Sequence, residues 1–351
     1  MQLGIVGFPK TGKTILFNLL THSHEATDKF TKSLEAHLAI CQVPDRRLDR
    51  LAALFKPKKT TPATVQFVDI PGVTKQEGSA DLNLTRLKEV DALIHVVRAF
   101  EDEEIPHPEG TVNGERDLAS LDLELIFADL ELVERRIERL EKSKKRGLSA
   151  DEKRELDLLV EVIKPALEDE TPLRRVELAE EDEKRLRGFQ LLSAKPLLVV
   201  WNVGEADLKM AAPDAGADVQ TVVMSLPIEE EISELSADEQ KEFLADLGLE
   251  QASLERVIRT SYDLLGLISF FTVGDDECRA WTIRSGTVAQ KAAGTIHSDL
   301  ERGFIRAEVV EWDKLLEHGS LAKCREAGIL RLEGKEHVVQ DGDVMHVRFN
   351  V

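Results

Sequence analysis

The chain has 351 residues, and its 66 acidic against 46 basic side chains leave a formal charge of −20. That balance repels a phosphate backbone over most of the surface, which excludes a protein that coats nucleic acid and confines any RNA contact to a local, shaped patch. A hydrophobic share of 42% excludes a disordered chain and, at this length, suggests roughly two to three domains.

Three cysteines, Cys41, Cys278 and Cys324, are an odd number without metal-ligand spacing. Neither a disulfide framework nor a zinc site is indicated, and a reducing compartment is expected. The opening MQLGIVGFPK lacks the basic start and apolar core of a signal peptide. No run reaches the roughly 18 apolar residues that span a bilayer. The expectation is a soluble cytoplasmic protein without membrane contact.

In chain order, Leu3-Gly4-Ile5-Val6 reads as a strand, Gly7 to Thr14 as a loop, and Ile15 to Leu20 as a buried helix. Further strands are expected at Val65–Ile70, Ala92–Val97 and Pro196–Asn202. Their near-continuous apolar and β-branched runs suit a mostly parallel sheet covered by helices on both faces. Between the last two, Leu123, Ile126, Leu130, Val133, Ile137 and Leu140 recur at alternating steps of three and four, a heptad seam. A second stripe, Leu156, Leu159, Val160, Ile163 and Leu167, follows a break at Lys144-Lys145-Arg146-Gly147 and predicts an antiparallel helical hairpin inserted into the α/β domain. From about Leu267 the texture turns β-rich. The closing run alternates apolar Met345, Val347, Phe349 and Val351 with polar residues, as a half-buried strand does.

Gly7-Phe8-Pro9-Lys10-Thr11-Gly12-Lys13-Thr14 satisfies G-x-x-x-x-G-K-[ST] between a predicted strand and a predicted helix, the context that makes the motif a nucleotide phosphate loop. Backbone N–H groups of Gly7 to Ile15 converge on phosphates, Lys13 adds a point charge, and the Thr14 hydroxyl suits Mg²⁺. Asp69-Ile70-Pro71-Gly72 also follows a strand. Asp69 is expected to hold Mg²⁺ or one of its waters, and the Gly72 N–H to reach a γ-phosphate. Asn202-Val203-Gly204-Glu205 stands where a base-reading N-K-x-D box belongs, with Val203 for the Lys and Glu205 for the Asp. Its guanine-reading chemistry is altered.

At these residues the sequence resembles the YchF subfamily of Obg-like P-loop ATPases, within the translation-factor-related GTPases. The likeness runs through the phosphate loop, Val43-Pro44-Asp45-Arg46-Arg47-Leu48-Asp49, Asp69 to Gly72, Val96-Val97-Arg98-Ala99-Phe100-Glu101-Asp102 and the box at Asn202. It is strongest in Arg279-Ala280-Trp281-Thr282-Ile283, Ala292 to Glu308 and Val338 to His346. It implies a G domain in two parts (1–116 and 193–266), an inserted helical coiled-coil domain (117–192) and a C-terminal ubiquitin-like TGS β-grasp domain (267–351). It further implies ATP rather than GTP as the preferred nucleotide and a ribosome or ribosomal subunit as partner. Several positions depart from the family pattern. Lys10 stands where the family has Asn, the expected switch I reads Ser33-Leu34-Glu35-Ala36-His37, and Ser225-Leu226-Pro227 replaces a Ser-Ala-Lys base loop. In cation-dependent relatives that Asn helps hold a K⁺ ion, so Lys10 is expected either to supply its own ammonium in catalysis or to extend into solvent.

His95, inside an apolar strand, reads as a core histidine, and Glu101-Asp102-Glu103-Glu104 as a solvated loop. Lys142, Lys144, Lys145 and Arg146 at the hairpin tip are the densest basic cluster. A local RNA contact and a solvated helix end both fit it. Two functions stand against each other: a switch that binds and slowly hydrolyses ATP or GTP with Mg²⁺, and a non-hydrolysing nucleotide-binding adaptor in stress or translation regulation.

Overall fold

A computed structural model of the chain describes residues 1–22, 38–70 and 80–350. Its strands are β1 (Gln2–Val6), β2 (Leu38–Gln42), β3 (Lys59–Thr61), β4 (Thr64–Asp69), β5 (Ala92–Ala99), β6 (Leu197–Val203), β7 (Val219–Met224), β8 (Leu267–Thr272), β9 (Glu277–Arg284), β10 (Phe304–Glu311), β11 (Arg331–Glu333) and β12 (Asp343–Phe349). The chain groups into two compact units, Met1–Ala39 with Gln66–Leu254 and Ile40–Val65 with Glu255–Val351.

In the first unit the strands run in the order β4-β1-β5-β6-β7, and all these pairings are parallel. Every residue of β6 and all but the last of β5 are buried, as the apolar runs predicted for a sheet covered on both faces. Helix α1 (Lys13–His22) follows β1 directly through the phosphate loop. The chain order reverses direction across β1, with β4 on one side and β5 on the other, which opens a crevice at the carboxyl ends of the strands.

The inserted helices form their own core in this unit. A 30-residue helix, Gly114–Ser143, is capped by Asn113, whose side chain accepts from the Arg116 N–H at 3.0 Å. Its first turns cover the sheet, Leu118, Leu121 and Leu125 packing with Val97, Leu197 and Trp201. Beyond them Ile126, Val133 and Leu140 meet Leu156, Leu159, Ile163 and Leu167 from the return arm. That arm starts at Ala150 with a capping box between Ser149 and Glu152. Val160 departs from the sequence expectation and is 43% exposed. A wide π turn over Leu159–Ile163 adds a residue to the helical repeat and rotates it out of the seam.

The second unit carries a mixed sheet in the order β11-β10-β12-β8-β9-β3. The β8–β9 hairpin is antiparallel, β12 lies parallel to β8, and β10 pairs antiparallel with β12. Helix Ala289–Ile296 packs Ala289, Ala292 and Ala293 on the face made by Phe270, Ile283, Ala307, Val309 and Met345, giving the β-grasp arrangement. Strand β3, from far earlier in the chain, adds parallel to β9. Helix Arg46–Phe55 is held in the same unit by Arg47, which bonds Asp45 at 2.8 Å and Asp341 at 2.6 Å and stacks over Phe271.

Candidate functional site

The phosphate loop leaves β1 beside the centre of the sheet, since Val6 lies in register with His95 of β5. Gly7 has φ of 146°, and a Cβ there would stand 2.5 Å from the Val96 carbonyl oxygen. Only glycine fits so close to another backbone. Gly12 has φ of 101°, and a Cβ would meet Leu226 and come within 2.8 Å of Asn202 Nδ2. Lys10 also lies in the left-handed region, at φ of 64°, with an exposed side chain. Asparagine occupies that region more readily than lysine, so the departure at this position carries a backbone cost.

Within the loop the Lys13 ammonium donates to the carbonyls of Gly7 at 2.7 Å and Phe8 at 2.6 Å. Burial pulls its pKa down to about 8, with the charge of Asp69 opposing the shift. The Thr11 hydroxyl donates to the Phe8 carbonyl at 3.0 Å, closing the loop on itself. Thr14 is exposed at the start of α1. Asp69 ends β4 in register with Ile5 of the neighbouring strand. A hydroxyl and a carboxylate are the hard oxygen donors that Mg²⁺ takes, and among the described residues no cluster of three or more His, Cys, Asp or Glu competes as a metal site. Gly72 and Ser33 to His37 lie outside the described residues.

At the far end of the crevice Asn202 does something its motif does not announce. Its Nδ2 donates to the Thr11 carbonyl at 3.0 Å, and its Oδ1 accepts from the Leu226 N–H at 3.2 Å. The side chain, 2% exposed, thereby ties the phosphate loop to the segment after β7. Val203 is buried in the sheet core and brings only its backbone to the crevice. Glu205 is exposed on a short 3₁₀ turn.

His95 lies wholly buried beneath the loop. Burial, with the charges of Lys13 and Arg174, lowers its pKa to about 3, which keeps the ring neutral. Sequence reasoning passed over Arg98, which is 1% exposed at the end of β5 in register with Asn202. It also passed over a buried cluster in which His107 Nε2 stands 2.9 Å from Asp117 and Arg116 bonds the same carboxylate at 2.8 Å. Arg98 in the Val96–Asp102 stretch and Arg116 in the first turn of the long helix were the available signal. At the hairpin tip Lys142 pairs with Glu138 and Lys144 with Glu141, leaving Lys145 and Arg146 without an ion pair among the described residues.

A family described as a 50S ribosome-binding GTPase matches residues 2–126, and one described as the YchF GTPase C-terminal domain, of unknown function, matches 267–350. The ribosome-binding ATPase YchF of Bacillus subtilis is 43% identical over the whole of both chains. Obg-like ATPase 1 of rice is 37% identical, over all of this chain and 92% of that one. The solved structure of the Schizosaccharomyces pombe YchF GTPase superposes with a TM-score of 0.90 at 33% identity, covering 99% of this chain and 97% of that one. No helix among the described residues is long and apolar enough to cross a membrane.

Proposed function

Because the chain belongs to the YchF family of Obg-like ATPases, we propose that it is a nucleotide-dependent switch which binds and slowly hydrolyses ATP in the crevice above β1, β5 and β6 and couples the bound nucleotide to ribosome association. The chain is a P-loop NTP hydrolase. The observation that carries the reading is the phosphate loop itself, with Gly7 and Gly12 in conformations closed to other residues and Lys13 desolvated between Gly7, Phe8 and Asp69. In such surroundings a cation acts at low dielectric and attracts a phosphate more strongly than a surface lysine does.

The division of labour is assigned from the motif positions in the sequence. Backbone N–H groups between Gly7 and Ile15, Pro9 having none, cradle the phosphates, and Lys13 trades its two carbonyl partners for phosphate oxygens. Thr14 and Asp69 hold Mg²⁺, which when bound neutralises phosphate charge. Gly72, outside the described residues, is assigned to the γ-phosphate by its motif alone. Lys10, exposed beside the loop, brings its ammonium to the charge that develops in hydrolysis. At the base, Asn202 holds its box against Thr11 with one amide hydrogen and keeps the other for the nucleotide, while Glu205 stands one methylene longer than the Asp that reads guanine. That mismatch weakens guanine reading, and the preference for ATP is taken from the family likeness. The bacterial relatives are named ribosome-binding, which supports a cytoplasmic protein with a ribosomal partner, and Lys145 and Arg146 at the hairpin tip are the residues proposed to meet RNA backbone.

A competition titration on nucleotide-free protein tests the reading. ATP is expected to displace a fluorescent analogue at least as well as GTP, and Lys13→Ala to abolish tight binding of both while the far-ultraviolet circular dichroism is retained. Undiminished affinity in folded Lys13→Ala refutes the site, and a strong preference for GTP refutes the base assignment.

A further inference from the structure

Arg98 is among the most buried side chains of the protein, at 1% exposed, yet among the described residues no carboxylate lies within ion-pair distance of it. A buried cation costs free energy unless it is paired or fully hydrogen-bonded. Here the compensation comes from one short loop: Nε donates to the Phe100 carbonyl at 3.0 Å, Nη1 to that of Ile105 at 2.7 Å, and Nη2 makes a longer contact of 3.5 Å with that of Asp102. The guanidinium also stacks 4.6 Å above the Phe100 ring. Three donors of one rigid fork are thus spent on folding back the six residues that follow β5.

The sheet order gives that loop its place. With β5 between β1 and β6 and all three parallel, the chain leaving β5 emerges between the phosphate loop after β1 and the base-reading box after β6. Gly7 rests against the Val96 carbonyl on one side, and Arg98 is in register with Asn202 on the other. The loop bears Glu101, Asp102, Glu103 and Glu104, four carboxylates that would repel a triphosphate if they turned toward it. Glu101, Glu103 and Glu104 are exposed.

We infer that Arg98 is a positioning residue of the nucleotide site: by clamping the carbonyls of Phe100, Asp102 and Ile105 it fixes the β5 loop as the wall between phosphate loop and base box and holds the acidic run away from the phosphates. A lysine keeps the charge but lacks the planar fork that reaches several carbonyls at once. The inference rests on the nucleotide site proposed above and adds to it a determinant of affinity that lies outside the phosphate loop, the Asp69 turn and the base-reading box.

The test compares unmutated protein, Arg98→Lys and Arg98→Ala for dissociation of a fluorescent ATP analogue, for single-turnover phosphate release, and for hydrogen exchange of the amides of residues 100–107. Both variants are expected to bind ATP about tenfold or more weakly with a single-turnover rate at saturation within about threefold, the pattern of a lost binding determinant, and to exchange faster in the loop. Methylguanidinium is expected to restore affinity to Arg98→Ala and to do nothing for Lys13→Ala. Unchanged ATP affinity in folded variants overturns the inference while leaving the nucleotide site intact. Global unfolding of both variants overturns it in favour of a purely structural role. Failure of the unmutated chain to bind ATP overturns the site itself.

Discussion

Lys13 holds two opposed environments in balance, burial lowering its pKa to about 8 and Asp69 opposing. The protonated form binds a polyanion, and a bound triphosphate raises the pKa, so binding takes up a proton between the free and bound values. ATP affinity is therefore full below about pH 8 and falls by up to about tenfold per unit above it. Calorimetry at pH 9 in buffers of differing ionisation enthalpy will show proton uptake that is nearly absent at pH 7; no uptake at either pH contradicts the desolvated lysine. Lys10 yields a second expectation. If its ammonium serves where relatives use K⁺, hydrolysis runs equally in KCl and NaCl at matched ionic strength, and Lys10→Asn slows it while introducing a K⁺ requirement. Strong K⁺ stimulation of the unmutated protein, or no loss of rate in Lys10→Ala, rejects that role. At this scale the sequence was most informative where the chemistry is local: the residues from Gly7 to Thr14 form their cradle with one another. It was least so for Asn202, whose bond to Thr11 joins positions 191 apart, and for Arg98, whose burial depends on a loop that no pattern announces. The fate of Val203 was equally hidden. Buried in the sheet, it cannot accept a lysine without placing an ammonium in the core, so Val203→Lys is no simple restoration of a guanine box.

The inserted helical arm is an element with its own core, and its stability is separable from nucleotide binding. Leu159 is 0% exposed in the seam against the long helix. Leu159→Ala removes buried methyl groups there and is expected to cost about 2 to 5 kcal/mol, read as a lower melting transition by circular dichroism, with ATP affinity unchanged. A matching loss of ATP affinity would show that the arm and the nucleotide crevice fold as one. The heptad spacing foretold Ile126, Val133 and Leu140 correctly because a helix repeats its face along the sequence. It misplaced Val160 because a single π turn shifts the phase, and such a turn leaves no signal in spacing alone. The strand β3 was hidden for a different reason. Its three residues, Lys59–Thr61, are too short for any periodicity, and their pairing with β9 joins segments more than 200 residues apart, Thr61 lying in register with Arg279.

Across the whole molecule, the chain passes between the nucleotide-binding unit and the β-grasp unit at Ala39–Ile40, Val65–Gln66 and Leu254–Glu255, the second passage lying three residues before Asp69 at the end of β4. A charge of −20 limits non-specific attraction to RNA, so the proposed switch requires that the bound nucleotide set the affinity for the ribosome. The most direct measurement is co-sedimentation of the chain with purified ribosomes in the presence of a non-hydrolysable ATP analogue or of ADP, with Lys13→Ala alongside. Apparent affinity is expected to differ by about fivefold or more between the two nucleotides, a coupling on the order of 1 kcal/mol, and to be indifferent to nucleotide in Lys13→Ala. Equal affinity of the unmutated chain for ribosomes in both nucleotides would contradict the switch.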